Sequence, residues 1–192
     1  MALETVTLDH LPTSQTVHIA YFRNVRNAAF LHSQLLARNP DFEYGFVDAS
    51  IIVSRLHLLS AVFRAATTAS TNSLITPNVH SEIIVSLSPS NNISEAYRRY
   101  GISPSTKDLL VVKISGPGGP SHDNIAKHLS QHVEGDQLPV TDENIAPVTD
   151  NSKVAKYYKL NGLSWLDAIK DQPQKRKEVE TLVVGTLAVR GI

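Results

Sequence analysis

The stretch from Asn78 to Ile102 constrains the fold more than any other part of the sequence, because its local signals follow one another without conflict. Four of the five residues from 83 to 87 are apolar, and three of those four are β-branched. A short apolar run of this kind, ended by the turn residues of the segment 88–91, is typical of a largely buried strand. The sequence therefore predicts a strand over residues 83–87.

A helix is predicted directly after that turn. Asn92 is a favourable N-cap residue, and Glu95 stands three positions later, where its carboxylate can reach back to the Asn92 amide. Arg98 and Arg99 place positive charge in the last turn, where the helix dipole favours it. Gly101 then suits a C-cap in the left-handed conformation.

The rest of the chain mixes further strands and helices. Asn24 and Ser54 are the predicted N-caps of the first two helices, and the charged run at 172–177 is predicted to be a solvated connection. A length of 192 residues suits one domain, so we expect a single domain over residues 1–192 of the α/β (α+β) class. The other predicted elements are strands at 17–22 and 108–114 and helices at 25–38, 54–67, 122–133, 153–160 and 178–189.

The composition excludes several classes of function. The chain has no cysteine, which excludes disulfides, thiolate catalysis and cysteine-based zinc sites. Its formal net charge is zero, so the molecule as a whole has no electrostatic attraction to nucleic acid or to an anionic membrane. The N-terminal residues lack the pattern of a secretory signal, and no apolar run approaches the roughly 20 residues of a membrane span. We therefore expect a cytosolic or nuclear protein.

Three histidines are the candidate catalytic residues. His128 and His132 are four residues apart on a predicted helix, with His122 upstream, a spacing that can present imidazoles to a metal ion. The glutamate of an HExxH motif is missing, which favours exposed histidines with no metal. A small metal-dependent hydrolase or transferase using these three residues is the alternative hypothesis.

No other motif supports catalysis. The segment SGPGGP at 115–120 lacks the Gly-Lys-Ser/Thr that a phosphate-binding loop requires, which favours a plain turn. Ser88 precedes Pro89, which has no backbone N–H group to stabilise an oxyanion, so Ser88 is not a promising nucleophile. We therefore expect a protein that is not an enzyme and has no cofactor.

The segment HSEIIVSLSPSNNISEAYRRYGIS at 80–103 resembles the signature of the PRPK-binding protein (TPRKB) family, in a fungal form. That signature is a Ser-Glu pair, an apolar run, Leu-Ser-Pro, Asn-Ile-Ser, Ala and a Gly-Ile ending, all at fixed spacing. Weaker similarity at FRNVRNA, FVDAS, YYKL and LAVRGI extends the resemblance over nearly the whole chain. It implies a small mixed or antiparallel sheet packed against a helical bundle.

The resemblance also implies a function. Members of this family are non-catalytic subunits of the KEOPS (EKC) complex, found in the nucleus and cytoplasm. They bind a PRPK-type small kinase/ATPase, and through it the threonylcarbamoyl transferase subunit. They also bind the 3' CCA acceptor end of tRNA during the threonylcarbamoyladenosine modification beside the anticodon. A stand-alone RNA-binding module is a further alternative, against which the zero net charge argues.

The tRNA-binding residues that the resemblance implies lie around the signature. Relatives place Lys or Arg at the positions of Ser73, Ile75 and Pro77, whereas the chain has no basic residue from 71 to 78. Arg64 and the arginines of the signature helix are the nearest cationic residues that can compensate. The implied set is Asn78, Ser81, Glu82, Ser88, Asn91, Asn92, Ile93, Arg98 and Arg99.

The kinase contact is assigned to the last helix together with the helix at 54–67. Val184 falls outside the main apolar stripe of the last helix, which leaves core packing and a partner-facing surface as alternatives there. Replacing Leu187 with Glu is accordingly expected to abolish co-elution with the kinase. The assigned residues are Leu58, Val62, Leu182, Val183, Leu187, Val189 and Arg190.

Overall fold

The fold is built around two long neighbouring strands in an antiparallel sheet. The computed structural model describes residues 3–12 and 15–189. Its strands are β1 (Glu4–Val6), β2 (Thr16–Arg23), β3 (Gly45–Asp48), β4 (Leu109–Ser115) and β5 (Asp136–Leu138). Its helices are α1 (Ala28–Leu36), α2 (Arg55–Ser70), α3 (Val79–Ser86), α4 (Ile93–Tyr100), α5 (His122–His132), α6 (Asp142–Ile145), α7 (Asn151–Tyr157), α8 (Ser164–Asp167) and α9 (Gln172–Val189).

Within the described residues, the sheet has five strands, and every pairing in it is antiparallel. The order is β1-β2-β4-β3, and β5 also pairs with β2. β4 pairs along nearly the whole of β2, whereas β1 pairs with residues 17–19 and β5 with residues 21–23. The two short strands therefore share the other edge of β2.

Helices cover both faces of this sheet. Val17, Ile19 and Tyr21 of β2 belong to the apolar core that also contains buried residues of α2, α3, α4, α7 and α9. Ala20 and Phe22 belong to a second core, which contains buried residues of α1 and α5. Because both faces are buried, the central strands are apolar almost without interruption, as a two-sided strand requires. The predicted α+β class and the packing of a small antiparallel sheet on helices are confirmed.

Most of the predicted elements are present. β2 and β4 confirm the strands at 17–22 and 108–114, and α2, capped by the Ser54 side chain, confirms the helix at 54–67. The helices at 122–133 and 153–160 are confirmed as α5 and α7. α1 is shorter than predicted, and its N-cap position is Asn27 and not Asn24. Asn24 instead has a φ of 52°, because the chain turns there before the helix begins.

The predicted strand at 83–87 is wrong, since residues 79–86 form α3. The Asn78 side chain caps this helix by accepting a hydrogen bond from the Ser81 amide. Nearly every later residue of α3 is buried, because the helix packs against α2, α4, β3 and β4. A helix buried on all sides needs no polar face and has no helical periodicity, so its short apolar sequence imitates a buried strand.

The helix after it is present as α4, with two corrections to its ends. Asn92 caps it as predicted, but the Glu95 carboxylate pairs with Arg99 one turn later at 2.5 Å and does not reach back to the Asn92 amide. Gly101 has an extended backbone with φ −78°, not the left-handed C-cap conformation. A Cβ atom there would lie 2.8 Å from the Tyr97 carbonyl oxygen, so close backbone approach explains the glycine.

The last helix also differs from its prediction. α9 begins at Gln172, so the charged run at 172–177 is its first part and not a solvated connection. Lys, Arg and Gln are good helix formers, and Pro173 stands in the first turn, where no intrahelical donor is required. The closing Gly191, the predicted end of this helix, lies outside the described residues.

A buried polar network joins α2 to the ends of α3 and α7 in the larger core. The Tyr158 hydroxyl donates to the Leu87 carbonyl at 2.6 Å and lies 2.9 Å from His57 Nε2. His57 Nδ1 accepts the Val53 amide at 3.3 Å, which leaves the His57 proton on Nε2, where it donates to Tyr158. His57 is fully buried, and burial lowers its pKa to about 3. The imidazole is therefore neutral at physiological pH.

Acid should destabilise the protein through this histidine. The unfolded chain takes up the His57 proton near its ordinary pKa of 6.5, whereas the folded chain resists protonation down to about pH 3. The contribution of neutral His57 to the free energy of unfolding is therefore fully present above pH 6.5 and is lost as the pH drops toward 3. The loss is about 2 kcal/mol at pH 5. Burial also lowers the pKa of His80, which adds to the loss. Urea unfolding from pH 8 to pH 5 measures it.

The matched variant is His57→Gln. The glutamine side chain has both a donor group and an acceptor group, as the neutral imidazole does, but it does not titrate in this range. We expect its free energy of unfolding to fall less steeply between pH 6.5 and 5 than that of the unaltered protein. An equal slope in the two proteins would contradict the assignment of the acid sensitivity to His57.

Candidate functional site

An apolar groove of about 700 Å³ lies between α2 and α9. We call it the α2–α9 groove, and it is lined by Leu8, Asp9, Leu56, Leu59, Ser60, Phe63, Arg64, Thr67, Thr68, Val184, Leu187 and Ala188. Leu56 is 53% exposed and Phe63 36% exposed, although both are large and apolar. Exposed apolar groups with a polar rim are typical of surfaces that bind another protein.

Packing at the base of the groove fixes its two walls. Val183 and Leu187 of α9 are buried in the same core as Leu58 and Val62 of α2. Arg64 donates a hydrogen bond from its guanidinium to the Leu187 carbonyl, in the last turn of α9. A cation at that end of a helix also matches the helix dipole. The groove is therefore a fixed feature of the fold.

The structure divides the predicted kinase-binding residues into two groups. Leu58, Val62, Val183 and Leu187 are at most 2% exposed, so they hold the helix pair together and offer a partner little surface. Leu182 is half-buried and Val189 is 63% exposed. Arg190 lies outside the described residues.

The most accessible groove residues are absent from the predicted set. Leu56, Leu59 and Phe63 recur along α2 at helical spacing, beside the buried stripe that contains Leu58 and Val62. A helix with two adjacent apolar stripes has more apolar surface than one core face needs, and this excess was the available signal. Leu8 is far from α2 in sequence, so no local pattern indicates that it belongs to the groove.

A second exposed surface lies where α3 and α4 pack together. We call it the α3–α4 surface, and it consists of Ile75, Ser81, Ile93, Tyr97 and Arg98. Ile75 is 54% exposed, while Ile93 and Tyr97 are each 36% exposed. The Tyr97 side chain lies near Ser81, and the Arg98 side chain is 74% exposed, with its guanidinium 3.6 Å from the Glu95 carboxylate. The surface thus combines an aromatic ring, two aliphatic side chains and one accessible cation.

Glu82 shapes this surface from beneath. Its carboxylate is buried and accepts hydrogen bonds from the Thr76 hydroxyl at 2.6 Å, the Thr76 amide at 3.0 Å and the Ile75 amide at 3.2 Å. Three donors on one carboxylate satisfy its charge inside the protein. Glu82 therefore fixes the loop that exposes Ile75 and is not itself available to a ligand.

The other residues of the implied tRNA-binding set have mainly structural contacts. Asn78 and Asn92 are N-caps, and the buried Ser88 hydroxyl accepts the Ser90 amide at 3.1 Å. The guanidinium of Arg99 lies 4.6 Å from the centre of the Tyr157 ring and pairs with Glu95. Asn91 is exposed in the turn before α4.

The three candidate metal-binding histidines do not form one centre. The rings of His128 and His132 stack with their centroids 4.3 Å apart, next to Phe42. His122 instead lies 3.1 Å from the Leu3 carbonyl oxygen through its Nε2 atom. Within residues 3–12 and 15–189, no group of three His, Asp or Glu side chains is placed to hold a metal ion. The metal-dependent alternative therefore lacks a ligand set in this part of the chain.

Among the helices of the described residues, none has the length and apolar character needed to cross a bilayer.

The sequence also matches a known protein family. Residues 22–191 match the sequence profile of a family described as "Kinase binding protein CGI-121".

Curated relatives extend this similarity over the full length. The chain is 61% identical over 197 positions to the "EKC/KEOPS complex subunit CGI121" of Gibberella zeae, with 100% of both chains covered. It is 47% identical over 207 positions to the corresponding subunit of Neurospora crassa, again with 100% of both covered. The chain is 34% identical over 145 positions to the corresponding subunit of Schizosaccharomyces pombe, with 76% of this chain and 82% of the relative covered.

Proposed function

The chain belongs to the CGI-121 family of kinase-binding proteins, and from that membership we propose that it is the non-catalytic, kinase-binding subunit of a KEOPS (EKC) complex. Its partner is a PRPK-type small kinase/ATPase, and through the kinase it is linked to the threonylcarbamoyl transferase subunit. Such a subunit acts in the nucleus and the cytoplasm. The α2–α9 groove is the observation that carries the proposal.

The groove has the properties that a protein partner requires. Its floor is apolar, with Leu56 and Phe63 exposed, and its rim contributes Thr67 and Asp9. Removing large apolar side chains from water supplies most of the free energy of such an interface, and polar groups at the rim give specificity. The fixed packing of α9 on α2 means that little conformational entropy is lost on binding. We therefore assign the kinase contact to this groove.

Co-purification from the source cells tests the subunit assignment. The tagged protein should recover a PRPK-type kinase and the threonylcarbamoyl transferase at moderate salt, identified by mass spectrometry. Recovery of neither protein would contradict the proposal. Recovery of the kinase alone would support direct kinase binding and argue against a stable larger complex.

We further propose that the α3–α4 surface contacts the 3' CCA end of tRNA. Single-stranded bases stack on aromatic side chains, and Tyr97 with Ile93 and Ile75 offers such a platform. Arg98, which is 74% exposed and 3.6 Å from the Glu95 carboxylate, is the positive charge of this surface that can reach the phosphate backbone. Since the loop at 71–78 has no basic residue, stacking is expected to contribute more than charge, and binding should depend weakly on salt.

Replacing Tyr97 with Ala should lower the affinity for tRNA about tenfold, because one stacked base contributes about 1–3 kcal/mol. Filter binding or fluorescence anisotropy with the assembled complex measures the change. Trp165→Ala is the matched control, since Trp165 is also an exposed aromatic residue but lies outside the α3–α4 surface. Equal losses in both variants, or equal affinity for tRNA that lacks its CCA end, would contradict the proposal.

A further inference from the structure

A second concavity lies between α7, α8 and the first half of α9, and the proposed function makes no use of it. Its volume is about 390 Å³, and we call it the α7–α9 cavity. Pockets for small organic ligands have volumes of roughly 300–1,000 Å³, so this one is of suitable size. It is lined by α9 residues from Gln172 to Val179, whereas the α2–α9 groove uses Val184 to Ala188.

The floor of the cavity is apolar. Val53, Val154 and Leu166 line it and are each at most 6% exposed, and the half-buried Val179 lies beside them. These side chains come from four separate segments of the chain, so the floor is fixed by tertiary packing. An apolar body placed on this floor would be removed from water.

The mouth of the cavity is polar, and several of its groups are available to a ligand. In the part of the chain that the structure describes, the side chains of Asn151, Asn161 and Arg176 have no hydrogen-bond or ion-pair partner. Lys175 is engaged by Asp167 at 3.9 Å, and the Thr149 hydroxyl donates to the Ile52 carbonyl at 2.7 Å. Two amides and one guanidinium therefore remain at the edge of an apolar floor.

The surrounding segment is strongly basic in a protein of zero net charge. Residues 153–177 contain seven Lys or Arg residues and two Asp residues, which gives this segment a net charge of +5. The remainder of the chain therefore carries −5. Such a local field attracts anions even though the whole molecule is neutral.

We propose that the α7–α9 cavity binds a small organic anion, with its apolar body on the Val154–Val179 floor and its phosphate or carboxylate on Arg176. The guanidinium fork of Arg176 matches the paired oxygens of either anionic group. The Asn151 and Asn161 amides hydrogen-bond to polar atoms at the edge of the ligand. A recessed cavity of this volume favours a small molecule over an extended polymer.

Phenyl phosphate is the probe, because it combines an aromatic ring with one phosphate. Trp165 is the only tryptophan of the chain, and its neighbours Leu166 and Asp167 line the cavity. Its fluorescence should therefore change saturably as phenyl phosphate is added to the full-length protein, with a dissociation constant of about 1 mM. Inorganic phosphate and benzyl alcohol, which each supply half of the ligand, should bind at least tenfold more weakly.

Three variants distinguish binding of phenyl phosphate in the cavity from a general attraction of the anion to a basic surface. Arg176→Gln should weaken phenyl phosphate binding at least fivefold, and Val179→Phe should do the same by filling the floor without changing the charge. Lys177→Gln is the matched control, since Lys177 is the next residue of α9 but does not line the cavity. Circular dichroism establishes that each variant is folded before it is titrated.

A small-anion site predicts a specific pattern of losses among the three variants. Loss of binding in the first two variants with retention in Lys177→Gln supports it. Inorganic phosphate binding as tightly as phenyl phosphate, or equal weakening by Lys177→Gln, would overturn it in favour of a diffuse basic surface. Competition by a single-stranded RNA oligonucleotide at lower concentration than phenyl phosphate would overturn the small-molecule assignment. No saturable change in Trp165 fluorescence or in the amide resonances of the cavity residues would also reject it.

Discussion

Phe63→Glu should abolish co-elution of the protein with its kinase while leaving the fold intact. Phe63 lines the α2–α9 groove and is 36% exposed, so glutamate at this position can reach solvent in the free protein. In the complex the carboxylate would be buried against an apolar partner surface without a counter-charge. Central aromatic residues of interfaces contribute about 2–4 kcal/mol, and the buried charge adds to that loss. We expect the affinity to fall by at least about 100-fold.

The matched control is Leu36→Glu. Leu36 is 72% exposed on α1, whose buried residues belong to the core on the opposite face of the sheet. The Leu36→Glu substitution also introduces a negative charge in place of an exposed apolar side chain, yet it should leave the affinity for the kinase unchanged. Isothermal titration calorimetry with purified kinase measures both variants. Normal binding by a folded Phe63→Glu protein would show that the kinase contacts another surface.

Leu187 is the less suitable position for this test, contrary to the expectation from the sequence. Leu187 is 2% exposed and packs in the core between α9 and α2. Glutamate there would separate the two helices, because a buried unpaired carboxylate is strongly unfavourable. Loss of kinase binding by Leu187→Glu would therefore not distinguish a broken interface from a displaced helix.

Tyr158→Phe should be strongly destabilising, although it removes a single oxygen atom. Without the hydroxyl, the Leu87 carbonyl loses its donor and the His57 Nε2–H group loses its acceptor, and both residues are 0% exposed. Each buried group left without a partner costs about 1–3 kcal/mol. We expect the free energy of unfolding to fall by about 3 kcal/mol and Tm by about 6–12 °C.

Tyr157→Phe is the neighbouring control. Tyr157 is half-buried and contacts Arg99 through its ring, which phenylalanine retains. Its hydroxyl has no protein hydrogen bond within the described residues, so its removal should change stability by less than about 0.5 kcal/mol. Thermal and urea unfolding of both variants measure the difference. Similar stabilities for the two variants would contradict the proposed role of the Tyr158 network.

Local sequence signals predicted much of the fold and less of the candidate surfaces. β2 and β4 were predictable because long apolar runs bounded by turns leave few alternatives. α3 was not, because its burial on every side removes the periodicity that distinguishes a helix from a strand. The first part of α9 was also missed, since the run at 172–177 is charged and mostly exposed and has no apolar periodicity, although most of its residues are good helix formers.

The residues of the two candidate surfaces were also only partly predictable from the sequence. Phe63 and Leu56 belong to a second apolar stripe beside the buried Leu58 and Val62, but the sequence of α2 does not indicate which of the two stripes is covered by α9. On the α3–α4 surface, the signature indicates a segment of the chain, and the assignment of that segment to tRNA binding stays a prediction. The cap formed by Asn92 was predictable from local sequence, whereas the role of Glu82 was not, because its hydrogen bonds to Thr76 and Ile75 depend on how the preceding loop folds over α3.

The contact between Arg64 and the Leu187 carbonyl has a consequence for biosynthesis. The two residues are 123 positions apart, so the second wall of the groove is synthesised long after the first. During translation, a nascent chain that has exposed α2 but not α9 has only half of the proposed kinase-binding groove. The proposed interface therefore requires α9 to have left the ribosome before the kinase can bind to a complete groove.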